Sequence, residues 1–481
     1  MKKQVFNPFL PSWEYIPDGE PHVFEGRVYV YGSHDRFGAP MFCMNDYVCW
    51  SAPTDDLSDW RYEGIIYRKN QDPKNKLGLR LLFAPDVCQG PDGRYYLYYA
   101  FDFMGIIGVA VCDTPSGKYQ FYGYVHDKKG KIWGRRKGDQ FPFDPAVLVD
   151  GGRIWLYSGF YTPVPFVATG FRKLKNDGGT VAELETDMLT LKTEPKVIFP
   201  KEGKGAFDQH EFFEASSIRK DKDRYLFVYS SRHNHELCYA VSSRPDGGFR
   251  FGGTLVSQGD LFRDGRKKEK DGTNYLGNTH GGLLNLNGDW YIFYHRQTNR
   301  HSYSRQACAE KLVMREDGSF EQAEVTSCGL NGSALKGYGK YEARIACNLW
   351  SKTGVERYDG SNRKKRLRNH PYFTQTGGDR EGEGDQYIAD MYDGAVAGFK
   401  YFSIEGLRSI AVETRGSEGR IEISDSPGFE KICSVIQIEE TEAYRWWKSP
   451  EVKMEDGRKA LYFRYRGEGK IDFRMFELGK I

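Results

Sequence analysis

The sequence predicts an all-β protein: a five-bladed β-propeller over residues 1–325, followed by a β-sandwich over residues 326–481. Three observations predict it. A polar residue, a short apolar run, a turn and an aromatic strand recur five times at a spacing of roughly 60–70 residues, the signature of a repeated supersecondary unit. Aromatic residues make up 15% of the chain and glycine 55 of its 481 residues, while long amphipathic helices are missing, a balance that favours sheets. After Gln322 the repeat stops, and short alternating strands of another kind follow.

In chain order, residues 1–17 are an aromatic, proline-rich lead-in containing Phe9 and Trp13, expected to pack across the first and last blades. The first copy runs from Asp18 to Tyr31. The second opens at Asp86 and turns at Pro91-Asp92-Gly93. The third opens at Asp144 and turns at Asp150-Gly151-Gly152. The fourth opens at Glu214, and the fifth at His280 with its turn at Asn287-Gly288. Asp-Gly and Asn-Gly between apolar runs are the strongest short-range hairpin signals. Further strand-like stretches follow each hairpin, so each copy reads as about four strands.

The intervening segments read as loops: Lys128 to Lys131, a surface turn around Asn176, and the stretch from Lys201 to Gln209 at the channel mouth. Beyond a linker at 326–333 come a basic run, Arg363 to Arg368, read as a solvated loop, and a Gly/acid loop, Gly377 to Asp385. Alternating strands follow at 410–414, 420–423 and 460–465. Their extent suits one antiparallel sandwich.

Composition narrows the function. A net charge of +3 without a basic patch argues against nucleic acid as partner. No run approaches the roughly 20 apolar residues of a membrane helix, and the N-terminus shows no apolar signal region. The nine cysteines are odd in number and form no CxxC pair. They read as reduced core residues of a cytoplasmic protein, with no zinc site.

The repeat also carries chemistry. The first residue of each copy points at the central channel, so Asp18, Asp86, Asp144, Glu214 and His280 converge on one axis. Glu214 stands between Phe212-Phe213 and the small residues Ala215-Ser216. A carboxyl desolvated among rings has a raised pKa, as a general acid requires. Taken alone, it reads first as a salt-bridged strand-end residue; its place in the series of repeats favours the acid.

Taken together, Phe143-Asp144-Pro145-Ala146, Phe213-Glu214-Ala215-Ser216 and Gly277-Asn278-Thr279-His280-Gly281 resemble the motifs of glycoside hydrolase family 43. This family of five-bladed propellers includes β-xylosidases and α-L-arabinofuranosidases. The resemblance covers residues 7–325. It implies that Asp18 is the general base, that Asp144 tunes the acid's pKa and orients substrate, and that Glu214 is the general acid. It also implies that Arg305 contacts the sugar, and that His280 holds one cation, often calcium and mostly water-coordinated, at the propeller axis, with no organic cofactor. The family's first motif is usually Asp-Pro; here it is Pro17-Asp18-Gly19-Glu20-Pro21, so Glu20 stands as second candidate for the base. Phe83, Phe160 and Phe166 are candidate pocket walls, with core packing an equal reading for each.

The second region resembles a family 6 carbohydrate-binding jelly roll through residues 397–402 and 469–473. Lys470 stands where binding members usually carry Asn, and Trp446 and Trp447 read as a sugar platform or as core. The family 43 resemblance implies an inverting hydrolase of terminal pentose, with Asp18 and Glu214 roughly 6.5–9.5 Å apart to admit water; the missing signal region implies a substrate small enough to import, hence exo action on short oligosaccharides. A galactosidase or arabinanase on the same frame, and a catalytically silent glycan binder, stay open as alternatives, as does assembly into a homo-oligomer.

Overall fold

The computed structural model describes residues 3–165, 167–202, 207–358, 369–380, 382 and 384–480. The candidate wall Phe166 and the basic run from Arg363 to Arg368 lie outside the described residues. Those described are all-β: their helical pieces are short 3-10 turns.

Residues 20–312 form five successive antiparallel meanders. The first four have four strands each and the fifth has three. The innermost strands are Glu20–Phe24, Leu82–Gln89, Ala146–Asp150, Phe212–Asp221 and Leu283–Leu286. Each touches its neighbours, and the fifth returns to the first. Five separate apolar cores fill the spaces between consecutive sheets. Tyr31 and Leu97 meet between the first and second, Tyr98 and Leu156 between the second and third, and Tyr157 and Phe227 between the third and fourth. Val228 meets Ile292 between the fourth and fifth, and Phe293 meets Val30 between the fifth and first. The alternating strand residues thus bury both faces of every sheet. Turn chemistry sets the register: Asn287 and Gly288 take φ of 54° and 96°, as a tight two-residue hairpin turn requires.

The fifth sheet departs from the expected four strands. Flanking its last strand, His301–Leu312, runs the N-terminal lead-in, with Phe9 N–H donating to Ala307 O at 3.4 Å and Ala309 N–H to the Asn7 side chain at 3.1 Å. Phe9, Leu10 and Ile16 fill the core between the fifth and first sheets, so the lead-in joins the two ends of the series, as its composition predicts.

Residues 335–479 form two more sheets of six strands each, sharing one core that includes Phe399, Val412, Phe463 and Phe476. The predicted strands fall within Ser409–Gly416, Gly419–Ser424 and Gly457–Arg466. Trp447 packs against this core, whereas Trp446 is 38% exposed on the strand Thr441–Lys448, with Lys340 5.1 Å from its ring. The two therefore do not form one platform. Lys470 pairs with Asp390 at 2.6 Å. Lys400 is buried, paired at 3.0 Å with both Asp260 and Glu324 of the N-terminal region.

Candidate active site

Asp18 and Asp144 each precede an innermost strand, and each takes a left-handed backbone, with φ of 57° and 46°. Asp tolerates this region better than most residues, though it still costs about 1–2 kcal/mol. Such conformations persist where the surroundings over-determine them, commonly at functional sites. Glu214 lies within the strand Phe212–Asp221, where the pairing register slips on both sides of it and Ala215 has φ of 68°. A bulge of this kind re-aims a side chain out of the strand's regular alternation.

These backbone devices bring the predicted residues together. Arg305, on the last strand of the fifth sheet, donates from Nη1 to Asp18 Oδ1 at 2.9 Å. Its other side forks onto Asp35, with Nε to Oδ2 at 2.8 Å and Nη2 to Oδ1 at 3.0 Å. Arg305, Asp18 and Asp35 are 2%, 4% and 0% exposed. With water excluded, leaving such a cation wholly unpaired costs about 3–5 kcal/mol; Asp35, with two of the three bonds, holds the larger share of it. His295 accepts the Asp18 backbone N–H on Nδ1 at 3.2 Å. Burial pushes its own pKa down to about 3, so the ring is neutral. Asp144 Oδ2 accepts the Ala215 N–H at 3.0 Å and lies 3.6 Å from His280 Nδ1. It thereby holds the bulge that carries Glu214.

The electrostatics separate the carboxyls. Burial works to raise the pKa of Asp18, but the Arg305 guanidinium, together with His295, His280 and the Ser33 hydroxyl, outweighs it and holds the group below the usual aspartate range. Glu214 is pushed up to about 8, first by burial and then by the negative charge of Asp18. Asp144 is also raised well above its ordinary value, by burial and by the charges of Glu214 and Asp18. The interaction between Asp144 and Glu214 is mutual: the negative charge of either opposes ionisation of the other. Asp144 also bears on Glu214 through the backbone it grips.

Glu20, the second candidate for the base, is placed elsewhere. Its Oε2 accepts from Ser217 Oγ at 3.0 Å and from Arg219 Nη2 at 2.8 Å. Arg219 also bonds the Pro21 and Leu283 carbonyls, so this pair ties together the innermost strands of three sheets. Asp18, not Glu20, shares the field of Arg305 and Glu214.

Phe83 and Phe160 are each 8% exposed and lie in one aromatic cluster. It runs from Phe42, over which Arg305 stacks at 4.8 Å, through Phe83 and Phe143 to Phe160, and on to Phe213 at 5.6 Å. Phe143 and Phe213 immediately precede Asp144 and Glu214, so the rings desolvate the carboxyls. Phe83 and Phe160 pack in this cluster, beside the rings that flank both carboxyls.

At the axis, His280 Nε2 and Glu20 Oε1 are buried without hydrogen-bond partners, 3.9 Å apart. Close by, His22 Nε2 meets Asp86 Oδ1 at 2.6 Å, and Glu20, His22 and Asp86 can turn ligand atoms within 4.8 Å of one another. The unsatisfied Glu20 oxygen fits a hard cation, and the neutral His280 Nε2 fits a hydrogen bond from water bound to that cation. In the sequence Asp86 stands out only as the opening acid of the second repeat, and Asp35 only through the polar, glycine-led segment Gly32-Ser33-His34-Asp35 directly after a strand.

Two carboxyls in mutual electrostatic reach, one held ionised and one held protonated at neutral pH, are what hydrolysis of a glycosidic bond needs. The chain belongs to the glycosyl hydrolases family 43, whose model matches residues 11–320; it is a glycoside hydrolase. A xylosidase/arabinosidase of Thermoclostridium stercorarium is 50% identical over 484 residues, covering 99% of each chain. A xylosidase/arabinosidase of Bacteroides ovatus is 28% identical over 315 residues, 60% of this chain and 87% of that one. Among solved structures, a family 43 arabinoxylan arabinofuranohydrolase from Bacillus subtilis in complex with cellotetraose aligns with 99% of this chain and 97% of its own. Its TM-score is 0.51 at 21% identity, a likeness of fold.

Proposed function

We propose that this enzyme removes terminal pentose, β-D-xylose or α-L-arabinofuranose, from short oligosaccharides with inversion at the anomeric carbon. The observation that carries the general acid/base reading is the opposed protonation of Asp18 and Glu214; the family likeness supplies the inversion, and the names of its relatives supply the sugar. Residues 1–325 are then a five-bladed propeller, its five meanders being the blades, and residues 326–481 a jelly-roll sandwich of the family 6 carbohydrate-binding kind. The nine cysteines, all unbridged, suit a reducing compartment such as the cytoplasm.

In the reaction, Glu214 gives its proton to the leaving oxygen as the glycosidic bond breaks. Asp18 takes a proton from the water that attacks the anomeric carbon. Asp144 keeps the Glu214 bulge in place, and Arg305 orients Asp18 and keeps it ionised. The oxocarbenium-like transition state forms between these groups. A calcium or similar cation held by His280 and Glu20 would add fixed positive charge near the carboxylates; the chain's own carboxyls carry both protons.

Release of nitrophenol from the β-D-xylopyranoside and the α-L-arabinofuranoside tests the reading. Cleavage of either supports it, and the ratio of the two names the sugar; cleavage of neither overturns it. The pH profile is a second check. Glu214 must be protonated to act, so kcat/KM on xylobiose falls as pH rises through about 8. Asp18 must be ionised, so the acidic limb lies below about 4, the ordinary aspartate value. A profile flat beyond pH 10 contradicts the assignment of the acid.

A further inference from the structure

The second pair of sheets reaches back to the reacting carboxylates. The loop between the strands Tyr372–Thr374 and Tyr387–Tyr392 lies against the segment 32–46 of the first sheet, and Asp379 makes the central contact. Its Oδ1 accepts the Phe37 N–H at 2.8 Å, and its Oδ2 accepts Asn45 Nδ2 at 2.8 Å. One carboxylate therefore grips both ends of the 37–45 loop. Asn45 Nδ2 has a second hydrogen, which it gives to the Asp35 carbonyl at 3.1 Å. Within the same loop, Cys43 N–H donates to Asp35 Oδ1 at 2.9 Å, and Phe42 covers the Arg305 guanidinium.

Two more contacts brace the segment from the same side. Arg380 pairs with Glu14 at 3.3 Å, and Glu14 holds His34 at 3.0 Å. The Tyr15 hydroxyl donates to Gln375 Oε1 at 2.5 Å, while the Tyr15 carbonyl accepts the Asp35 N–H at 3.0 Å. Asp35 is thus located from three directions. Because Arg305 forks onto it, the direction of the remaining guanidinium nitrogen toward Asp18 is set as well.

We infer that Asp379 is a positioning residue for the hydrolytic reaction: through Asn45, the 37–45 loop and Asp35 it fixes Arg305, and through Arg305 it fixes Asp18. The C-terminal sheets are then part of the catalytic apparatus, whether or not they bind carbohydrate. This rests on the proposed role of Asp18. A contact that only docked two halves of the chain would stabilise without altering turnover. A contact that holds a reacting group to within a fraction of an ångström changes turnover itself, since a misplacement of about 1 Å costs on the order of 100-fold.

The test is the full-length Asp379→Ala enzyme on xylobiose, read as kcat and KM separately. The expected result is a fall in kcat of about 10–100-fold with KM changed far less. Asp379→Asn keeps an acceptor for the Phe37 N–H but turns an NH2 toward the Asn45 amide donor, so it recovers only part of the loss. In an Arg305→Lys background Asp379→Ala adds little, because groups acting through one another are not additive. Where Asp379→Ala does not fold, Asn45→Ala takes its place in the same comparison. Unchanged kcat with a lowered Tm, or losses that multiply fully in the double variant, overturns the inference. Asp18→Asn is assayed alongside. If it hydrolyses xylobiose as the intact enzyme does, the role of Asp18 fails; if it is inactive while Asp379→Ala turns over normally, only the inference about Asp379 fails.

Discussion

Glu214→Ala should lose roughly 10²–10⁴-fold in kcat/KM on xylobiose, the usual worth of a positioned general acid, and far less on a nitrophenyl glycoside. The asymmetry follows from the leaving groups. A sugar alkoxide cannot depart without a proton, whereas nitrophenolate is stable as an anion. Glu214 is suited to the first task only: burial and the neighbouring Asp18 charge raise its pKa to about 8, so it carries its proton throughout the neutral range. Parallel kinetics on the two substrates check this. An equal loss on both would mean that Glu214 shapes the site or binds sugar and does not donate the proton.

Asp18→Asn should behave differently, losing roughly 10²–10⁴-fold on both substrates. The base acts on the attacking water, and that step is needed whatever the leaving group. The substitution also leaves Arg305 bound to the neutral amide on one side and to Asp35 on the other, so the fold should survive with the guanidinium still half paired. A second consequence separates the two variants. Asp18 raises the pKa of Glu214, so the residual activity of Asp18→Asn on xylobiose should lose its alkaline limb at a lower pH than the intact enzyme. An unshifted limb contradicts the coupling, and Glu20→Gln showing the larger loss contradicts the choice of base.

The parts of this arrangement set by local rules were legible in the sequence. The hairpin turns need particular residues, and alternating aromatic strands must bury both faces, so the five repeats announced five sheets and the residues that open them. Asp18, Asp144 and Glu214 were named on that basis, and the lead-in's place between the first and last sheets followed from its apolar residues. The strand count of the fifth sheet was not legible, since the lead-in that flanks its last strand comes from the other end of the region. Neither was the bulge at Ala215, which is a response to the Asp144 carboxylate 71 residues away.

The partners of Asp18 were hidden for the same reason. Arg305 lies 287 residues from it and is found by likeness; the polar, glycine-led segment around Asp35 marks a turn without naming its partner, and nothing in the neighbours of His295 distinguishes it from an ordinary strand residue. Asp379 sits in a stretch that reads as an acidic, glycine-rich loop. Its significance comes wholly from what it touches in space.

The stereochemical course of a single turnover tests the central claim most directly. Proton NMR of the xylose first released from a β-D-xyloside reports which anomer forms before mutarotation. If Asp18 activates water on the face opposite the bond that Glu214 protonates, the α-anomer appears first and the β-anomer grows in slowly. Initial formation of the β-anomer would mean a covalent sugar–enzyme intermediate, and it would contradict the assignment of Asp18 as a base acting through water.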